Sequence, residues 1–473
     1  MSQLILGPIV GGLNSTGANL WGRCDSGGVL HAWLGQQPDL SDASIVSNSL
    51  PLRHNDGYSG VAPLQNLSPN THYHYTLGIE ETPPDPAQGP YPGFTTFPED
   101  GQEVSFNFAF GSCFLPKDAE SGEIFKQVEI HRQNDKLRFW LLIGDQIYAD
   151  DYKHNGLKRI AVNVEDYRQV YHYAWFRPCV QNLLANLPVF MTMDDHDVED
   201  DWCWTDYARL QATIPCWNRF NRWREKRPVE ERRFPRQRVL DGLQAYWEHQ
   251  AMHGPHFINS PKLNPSGQYD FDSSGSFAYT FNYGAAAFFV LDTRSQRIKH
   301  WWKHMMLDEE QWQALEAWLL QVKDVYPIKF IVSSGAILYR WFFDIPADRW
   351  SGFLHDRKRL LDLLATNEIT GVYILTGDLH TAHAVRAELY GPQGKSIPLW
   401  EFCSTPFAQN PKFITTLLYN PFRFQPMKGL KRLFTAAANN FGLVRVNFLP
   451  NGKPNVVFEV YGEEGSLLGK AGE

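Results

Sequence analysis

The chain has 473 residues, of which 43% are hydrophobic and 20% are charged, which is typical of a globular protein with two or three domains and a sizeable core. A formal net charge of -8 disfavours nucleic acid or an anionic membrane as the main partner. The six cysteines are scattered without regular spacing, which predicts reduced thiols rather than a disulfide framework.

The sequence pattern of residues 1–100 predicts an all-β domain. Short alternating runs at 18–23, 30–34 and 73–77 are separated by clusters of Gly, Pro, Asn and Asp. The stretch LQNLSPNTHYHYTLG resembles the edge of an immunoglobulin-like or fibronectin-III-like sandwich. We therefore expect an N-terminal β-sandwich, joined to the rest of the chain by the linker FPEDGQE at 97–103.

From residue 101 to 473 the pattern changes to α/β. Apolar strands are predicted in VSFNFAFGSC, in LRFWLLIGD, at 189–193, at 329–337 and in GVYILTGD, with helices at 123–133, 309–322 and 356–367. The segment 202–254, rich in Trp and Arg, predicts a helical insertion, and 442–462 predicts a β-hairpin. In such folds ligands bind at the carboxyl ends of the strands.

Four predicted strand ends carry residues that can bind metals. They are Ser112-Cys113, then Asp145 with Tyr148, then the acids between Asp194 and Asp201, and finally Asp378 with His380 and His383. Taken singly, each is more often a cap, a turn or a packed side chain, and His383 is predicted to be a core histidine. Gathered at one sheet edge, however, so many acids would repel one another, so we predict a metal site.

The types of ligand indicate which metals fit. Carboxylates suit Ca²⁺, Mg²⁺ or Mn²⁺, whereas thiolate, phenolate and imidazole together suit iron or zinc, and phenolate favours ferric iron. Two or more different ions are therefore expected, with Asp145 as the natural bridge. Two ions about 3.5–4 Å apart can clamp a phosphate and activate a water or oxide for in-line attack.

The ordered motifs GSC, GDQIYADD, DDHDVEDDW and GDLHTAH resemble those of the PhoD-type alkaline phosphatases, relatives of the calcineurin-like metallophosphoesterases. This resemblance covers residues 110 to 385 and implies a four-layer αββα core that follows a β-sandwich. It implies Fe³⁺ and Ca²⁺ as cofactors, with zinc or manganese as the alternatives. The implied iron ligands are Cys113, Asp145, Tyr148 and His380, and the implied calcium ligands are Asp145, Asp194, Asp201 and Asp378.

The acid motif leaves two questions open. Asp195 rivals Asp194 as the calcium ligand, because the segment alone does not determine the register. The family usually has DDHE followed by Asn, whereas this chain has Asp197 and then Asp200 and Asp201. An aspartate in place of that asparagine adds a negative charge beside the expected calcium ion.

Other polar residues receive weaker assignments. His196 is expected to protonate the leaving group or orient phosphate, or else to support a carboxylate. Arg168 is a candidate for substrate binding, although a structural salt bridge is favoured, and Arg294 is expected to brace the domain. The acids Asp150, Asp151, Glu199 and Asp200 are expected to be solvated or to cap turns.

The main hypothesis for function is a phosphoric ester hydrolase in which a metal-bridging oxide or hydroxide attacks phosphorus. The first alternative is a phosphodiesterase or phospholipase-type enzyme using the same centre. The second is a non-catalytic calcium-binding β-sandwich or adhesion protein. The expected partner is a small phosphoester, without nucleic acid and without a membrane segment, and no oligomeric state is predicted.

The N-terminus indicates a location. The stretch MSQLILGPIVGG has neither the basic nor the long apolar part of a secretory signal, and it contains no twin-arginine pair. PhoD-type enzymes are often exported by the twin-arginine route. We therefore expect a cytoplasmic protein, or a periplasmic or secreted one if a leader is missing.

Overall fold

The structure is a computed structural model that describes residues 2–117, 122–264, 269–271, 275–300, 303–338, 348–413, 427–450, 452 and 454–472. The first strands are β1 (Leu4–Gly11), β2 (Ala18–Cys24), β3 (His31–Gly35), β4 (Ser44–Asn48), β5 (Ser59–Leu64), β6 (His72–Gly78), β7 (Gly93–Thr95), β8 (Phe106–Gly111), β9 (Leu137–Ile143) and β10 (Val189–Thr192). The next are β11 (Cys203–Trp204), β12 (Ala212–Thr213), β13 (Lys262–Leu263), β14 (Tyr269–Asp270), β15 (Tyr279–Tyr283), β16 (Ala286–Val290), β17 (Ile298–His300) and β18 (Lys303–Met305). The last are β19 (Ile328–Val332), β20 (Val372–Thr376), β21 (Ala382–Tyr390), β22 (Ser396–Cys403), β23 (Met427–Ala436), β24 (Asn440–Phe448), β25 (Pro454–Gly462) and β26 (Leu467–Gly472).

The helices are α1 (Glu123–Asn134), α2 (Val164–Trp175), α3 (Pro178–Asn186), α4 (Cys216–Arg224), α5 (Val229–Arg232), α6 (Arg236–Tyr246), α7 (Glu309–Val322) and α8 (Leu354–Thr366). A π-helical turn, Trp247–Ala251, extends α6. Among the described residues, none of the helices combines the length and the apolar character needed to cross a membrane.

Two large mixed sheets dominate the fold. The nine-stranded sheet has the order β26-β25-β24-β8-β9-β10-β1-β2-β5, and the seven-stranded sheet has the order β15-β16-β19-β20-β22-β21-β23. Strands β8, β9 and β10 run parallel, and so do β16, β19 and β20. Within each sheet the carboxyl ends of these strands therefore lie along one edge.

Aromatic side chains fill the space between the two sheets. The Phe108 and Phe330 rings lie 5.4 Å apart and meet edge to face, and the Phe190 and Phe281 rings stack at 3.8 Å. Each such pair adds about 0.5–1.5 kcal/mol beyond the burial of its area. This packing connects the two sheets rigidly and so determines how their edges meet.

Helices cover the outer faces of both sheets. Apolar residues of α1, α2 and α3 pack against the nine-stranded sheet, and those of α7 and α8 pack against the seven-stranded sheet. In α7, Asp308 caps the first turn by accepting from the Gln311 amide, and Trp312, Leu315 and Leu319 follow at helical spacing on the buried face. The α/β class predicted from the sequence is confirmed.

The separate N-terminal sandwich is not confirmed. Strands β1, β2 and β5 extend the nine-stranded sheet, because Gly11 of β1 pairs with Val189 of β10. The remaining N-terminal strands form a four-stranded sheet in the order β4-β3-β6-β7. Sheet pairing therefore crosses the expected boundary near residue 100.

The two local predictions in the second half of the chain correspond to described elements. Residues 202–254 contain the helices α4, α5 and α6, together with the short strands β11 and β12. Strands β24 and β25 form an antiparallel pair in which Asn447 lies opposite Asn455, as expected for the hairpin.

Candidate metal centre

The candidate site lies where the strand ends of the two sheets meet. Cys113, Asp145 and Asp194 follow the ends of β8, β9 and β10 within two residues. From the other sheet, Asp378 follows β20, and its amide donates to the Ser112 hydroxyl over 3.2 Å. Residues far apart in sequence are thus held at one edge.

Two glycines permit this close approach. A Cβ atom at Gly144 would lie 2.5 Å from the Cβ of Asp194, and one at Gly377 would lie 2.3 Å from the Ser112 hydroxyl oxygen. Both distances are well below van der Waals contact. The glycines that precede Asp145 and Asp378 are therefore required by packing between the strand ends.

The backbone of the site is unusual as well. Residues other than glycine rarely adopt positive φ, and they persist there only where the surroundings enforce it. Five of the predicted ligands do so, with φ of 65° at Cys113, 54° at Asp145, 56° at Asp201, 67° at Asp378 and 52° at His380. Such a concentration of strained turns is typical of a functional site.

Cys113, Asp145, Tyr148 and His380 form what we call the mixed-donor group. The Cys113 sulfur lies 3.4 Å from Oδ2 of Asp145, and the Tyr148 hydroxyl lies 3.3 Å from the same oxygen. That hydroxyl is also 3.2 Å from Nε2 of His380. The structure therefore brings together all four residues that the resemblance implied for iron.

His380 presents an unprotonated nitrogen to this group. Its Nδ1 lies 3.2 Å from the Asn410 carbonyl, which can only accept, so Nδ1 carries the proton and Nε2 is left with its lone pair. Burial, followed by the charge of Lys412, lowers the pKa of His380 to about 2. A neutral imidazole with its second nitrogen held by a carbonyl is the usual form of a metal ligand.

The Cys113 thiol and the Tyr148 phenol of the mixed-donor group hold their protons strongly. Burial raises the pKa of the Cys113 thiol, and the charges of Asp145 and Asp378 raise it further. The pKa of Tyr148 is raised well above its ordinary value, first by burial and then by Cys113. A bound cation would reverse both shifts, because coordination deprotonates thiols and phenols. This donor set fits a metal ion.

Asp194, Asp195, Asp201 and Asp378 form what we call the carboxylate group. Asp195 is central to it: one ligand atom each of Asp195, Asp201 and Asp348 lie within 4.8 Å of one another, and so do those of Asp145, Asp195 and His196. Among the described residues, these clusters include neither Asp194 nor Asp378.

The oxygens of the carboxylate group are incompletely satisfied. Oδ2 of Asp194 and Oδ1 of Asp195 are buried and have no hydrogen-bond partner among the described residues. Burial, with Asp348 next, raises the pKa of Asp201 to about 9. Buried carboxylates without partners are costly unless a proton or a cation neutralises them, so this group also fits a metal ion.

Arg294 distinguishes the two candidate ligands Asp194 and Asp195. Its guanidinium bonds Oδ1 of Asp194, which also accepts from the Ser334 hydroxyl over 2.9 Å. The same guanidinium lies 2.5 Å from Asp348 but 3.5 Å from Asp195. Asp194 is thus bonded by two residues that follow strands of the seven-stranded sheet, Arg294 and Ser334. Asp195 is farther from the Arg294 guanidinium.

Asp197 is a site residue that the sequence analysis did not single out. Its Oδ2 accepts from the amides of Asp194 and Asp145 over 2.9 and 3.1 Å, and Oδ1 accepts from Gln250 over 2.9 Å. It therefore holds the backbones of two predicted ligands in place. Its position three residues after Asp194 is the spacing of a capping box, which could have indicated this role.

His196 is oriented by a buried acid. Its Nδ1 lies 2.8 Å from Asp150, and its ring packs on Tyr148 with centroids 4.2 Å apart. The pKa of His196 is raised well above its ordinary value, because Asp150, Asp195 and Asp145 outweigh the opposing effect of burial. This arrangement keeps the imidazole protonated beside the candidate metal ligands.

Asp150 and Glu199 were expected to be solvated or to cap turns. For Glu199 that expectation was wrong, whereas Asp150 is partly buried and accepts a backbone amide. Asp150 accepts from His196 and from the Asp200 amide. Glu199 is 0% exposed and bonds both Arg222 and Arg238. The reason lies in tertiary structure, because the insertion supplies the two arginines that neutralise Glu199. By contrast, Asp151 caps a turn as expected, accepting from the Lys153 amide over 3.0 Å.

Arg168 and His383 occupy structural positions. The Arg168 guanidinium forms a bidentate pair with Glu248 at 2.7 and 2.5 Å and donates to the Asn55 carbonyl over 3.0 Å. It lines a different cavity from the one beside His196. The ring of His383 lies 3.0 Å from buried Glu401.

A cavity of about 380 Å³ opens beside the candidate metal ligands. Tyr148 and His380 of the mixed-donor group line it, together with His196. Lys153, Asn218 and other polar residues complete the lining. The cavity is large enough for a small molecule in contact with His196 and with these two members of the mixed-donor group.

Comparison with known proteins agrees with this geometry. A model of the PhoD-like phosphatase family matches residues 108–450. Alkaline phosphatase D of Bacillus subtilis (strain 168) is 25% identical over 356 residues, which cover 67% of this chain and 52% of that protein. The chain thus spans about half the length of this curated relative.

Two solved structures share the fold. The structure of PhoD has a TM-score of 0.65 and 19% identity, covering 99% of this chain and 92% of that one. The purple acid phosphatase PPD1 from yellow lupin (Lupinus luteus) seeds has a TM-score of 0.58 and 14% identity, covering 98% and 73%. The mixed α/β fold is therefore of the metallophosphatase type. Since the family model matches well over half of its residues, the chain belongs to the PhoD-like phosphatase family.

Proposed function

We propose that the chain hydrolyses phosphoric esters at a centre of two or more different metal ions. The observation that carries this proposal is that the mixed-donor group and the carboxylates meet at Asp145, next to the Tyr148 and His380 side chains that line the cavity. Thiol, phenol and imidazole donors beside a set of carboxylates suit a soft or ferric ion next to a hard divalent ion.

The proposed ligands follow from the contacts. Cys113, Asp145, Tyr148 and His380 would hold iron, with zinc as the alternative. Asp145, Asp195 and Asp201 would hold calcium, with manganese as the alternative. Asp194 and Asp195 each keep one buried oxygen without a hydrogen bond, but Arg294 and Ser334 bond the other oxygen of Asp194 while Arg294 stays 3.5 Å from Asp195, which favours Asp195 as the ligand. Asp378 adds charge beside the Cys113 thiol.

When bound, such ions would neutralise the charge on the phosphate oxygens and lower the pKa of a bound water. The chain's own residues supply orientation and proton transfer. Asp145 joins the two groups of ligands, and Asp197 holds its backbone amide. Arg294 neutralises Asp194 and so keeps that carboxylate from competing for the cations.

His196 is the proposed proton donor to the leaving alkoxide. Asp150 bonds its Nδ1, so Nε2 is the nitrogen that can donate a proton to a molecule in the cavity. Nε2 lies 3.6 Å from Asp200. Because the carboxylates around it raise its pKa, His196 carries a proton at neutral pH and can release it to a stronger base.

The test is Asp145→Asn, with Asp362→Asn on the surface of α8 as the matched control. We expect the first variant to lose phosphate release from p-nitrophenyl phosphate by at least about 10³-fold, because both ions lose a ligand. The control should behave like wild type. Wild-type turnover in purified, folded Asp145→Asn would refute the proposal. A parallel assay with bis-p-nitrophenyl phosphate decides between monoester and diester preference.

We also propose that residues 1–100 retain a fibronectin-III-like arrangement although β1 joins the large sheet. Strands β1, β2 and β5 would form one layer and β4, β3, β6 and β7 the other. Buried Leu20, Leu34 and Tyr75 belong to one apolar cluster, which supports this packing. Limited proteolysis near the linker 97–103 would test whether the segment separates as a unit.

A further inference from the structure

Helix α4 carries a row of exposed aromatic rings. Trp217, Phe220 and Trp223 follow one another at a spacing of three residues and are 63%, 48% and 63% exposed. Each neighbouring pair of rings has its centroids 6.0 Å apart, with tilts of 31° and 32°. The three side chains therefore form one continuous apolar ridge on the protein surface.

The opposite face of α4 is polar and faces the protein. Asn218, Asn221 and Arg222 line the cavity beside the candidate metal centre. Asn218 donates to Asp200 over 2.6 Å, and Arg222 forms a buried ion pair with Glu199. A surface helix normally buries its apolar face and exposes its polar face. In α4 this order is reversed, so folding does not account for the aromatic ridge.

The segment around the ridge is strongly basic. Residues 216–238 contain nine Lys and Arg but only three Glu, in a chain whose net charge is -8. Arg219, Arg224, Lys226 and Arg233 are exposed. Cations that flank an exposed row of Trp and Phe give the surface the composition of a helix that lies in a membrane interface.

We propose that the α4 ridge and its flanking cations dock this protein onto a bilayer surface with anionic headgroups. Trp and Phe side chains favour the interface between headgroups and acyl chains, and exposed Arg and Lys favour the negative surface potential. The overall negative charge does not oppose this, because surface attraction acts within about 8 Å at physiological salt. The three rings are largely exposed, and a fluid interface can take them up without a shaped partner.

Single-stranded nucleic acid, which also binds Arg and aromatic residues, fits less well. Its bases stack on the faces of separated rings. In α4 the neighbouring rings of Trp217, Phe220 and Trp223 lie 6.0 Å apart at tilts of 31° and 32°, so a base cannot stack between them. The observations therefore favour a lipid surface.

Vesicle binding of the full chain, measured by co-sedimentation, tests the proposal without any need for catalysis. We expect wild type to bind vesicles that contain about 30% phosphatidylglycerol and to bind pure phosphatidylcholine much more weakly. The triple variant Trp217→Ala, Phe220→Ala, Trp223→Ala should bind at least about tenfold more weakly. Arg224→Ala with Lys226→Ala should reduce binding by roughly tenfold and make it less sensitive to salt.

The matched control replaces exposed apolar residues elsewhere, with Leu50→Ala, Phe176→Ala and Val325→Ala together. It should bind vesicles like wild type, and all variants should keep the wild-type melting temperature. Failure of wild type to bind the anionic vesicles, or undiminished binding by the ridge variant, overturns the proposal. So does exclusive binding of an oligonucleotide, or light scattering that shows a dimer which the ridge variant abolishes.

Discussion

The mixed-donor group and the carboxylate group meet where Asp145 approaches Asp195, but they neutralise their charge in different ways. In the first, the acidic groups contact one another, as in the 3.4 Å approach of Cys113 to Asp145, and raised pKa values keep them protonated. In the second, an internal cation, Arg294, bonds Asp194 and Asp348. The difference shows that part of the acid cluster is already paired within the protein.

Metal ligands inside a run of acids can be distinguished by the partners of their carboxylate oxygens. The carboxylates that bond the protein's own cations serve structure, while those left with buried open oxygens suit metal ions. Asp194 and Glu199 belong to the first kind, since each bonds at least one arginine. Asp195 belongs to the second: its Oδ1 is buried without a hydrogen bond, as Oδ2 of Asp194 is, but Arg294 lies 3.5 Å away and Asp195 clusters with Asp145 and with Asp201. The following predictions test that division.

The largest effect is expected at the mixed-donor group. Cys113→Ser replaces the thiol that contacts Asp145 with a harder and less acidic donor. We expect iron or zinc in the purified protein to fall from about one per chain to near zero, while calcium or manganese stays bound. Activity should fall on the order of 10³-fold. Metal analysis by mass spectrometry checks this, and simultaneous loss of both ions would contradict the separation into two groups.

The next prediction compares neighbouring residues of the carboxylate group. Asp195→Asn should lose the divalent ion and about 10²-fold in activity, because a ligand oxygen is removed. Asp194→Asn should mainly lower stability, by about 1–3 kcal/mol, because Arg294 and Ser334 lose the charged oxygen that they bond, although Arg294 keeps its pair with Asp348. Metal content and denaturant unfolding separate the two outcomes. The reverse pattern would assign ligation to Asp194.

A smaller effect is expected from Asp150→Asn. Asp150 raises the pKa of His196, so removing its charge lowers that pKa and the imidazole loses its proton at lower pH. The fall in activity on the alkaline side should therefore move to lower pH, with a drop in kcat of roughly 10–100-fold. Asp151→Asn, in the same loop, is the control. An unchanged pH profile in Asp150→Asn would remove His196 as the proton donor.

The smallest effect concerns stability without metal. Burial raises the pKa of Asp201 to about 9 and that of Asp194 to about 7, from ordinary values of 3.8. Raised folded-state values stabilise the protein fully below pH 3.8, and this stabilisation is lost as pH rises through the folded values. Bound cations hold the deprotonated forms instead. The melting temperatures of chelated and metal-loaded protein should therefore diverge by several degrees between about pH 5 and 9.

If chelated and loaded protein melt at the same temperature throughout this range, the carboxylates do not hold a cation. If they differ by a constant amount, metal binding stabilises the protein but the raised pKa of Asp201 is not responsible.

Much of the site could be predicted because its local patterns are strong. Continuous apolar strands that stop at Gly-Asp identified Asp145 and Asp378, and parallel pairing then required their ends to share an edge. The helix predicted at 309–322 has the bounds of α7, because its cap and apolar spacing lie within the segment itself. The Cys113, Tyr148 and His380 assignments came from the motifs of the resemblance.

Other features could not be predicted, because the deciding partners are distant in sequence. Glu199 was expected to be solvated, but it is buried by arginines 23 and 39 residues away. The choice between Asp194 and Asp195 depends on Arg294, which is 100 residues from Asp194. The N-terminal strands were expected to form a sandwich of their own, and the pairing of Gly11 with Val189, which places β1, β2 and β5 in the large sheet, could not be read from the sequence.

The sequence by itself determined the α/β class, the strand ends and the donor types, because hydrophobic periodicity and side-chain chemistry are local properties. Tertiary structure alone decided which acids bond arginines, which oxygens stay open, and which face of α4 meets solvent. Those outcomes depend on burial and on contacts between strands and helices far apart in the chain. The cost of an unpaired buried charge cannot be assigned until its neighbours are in place.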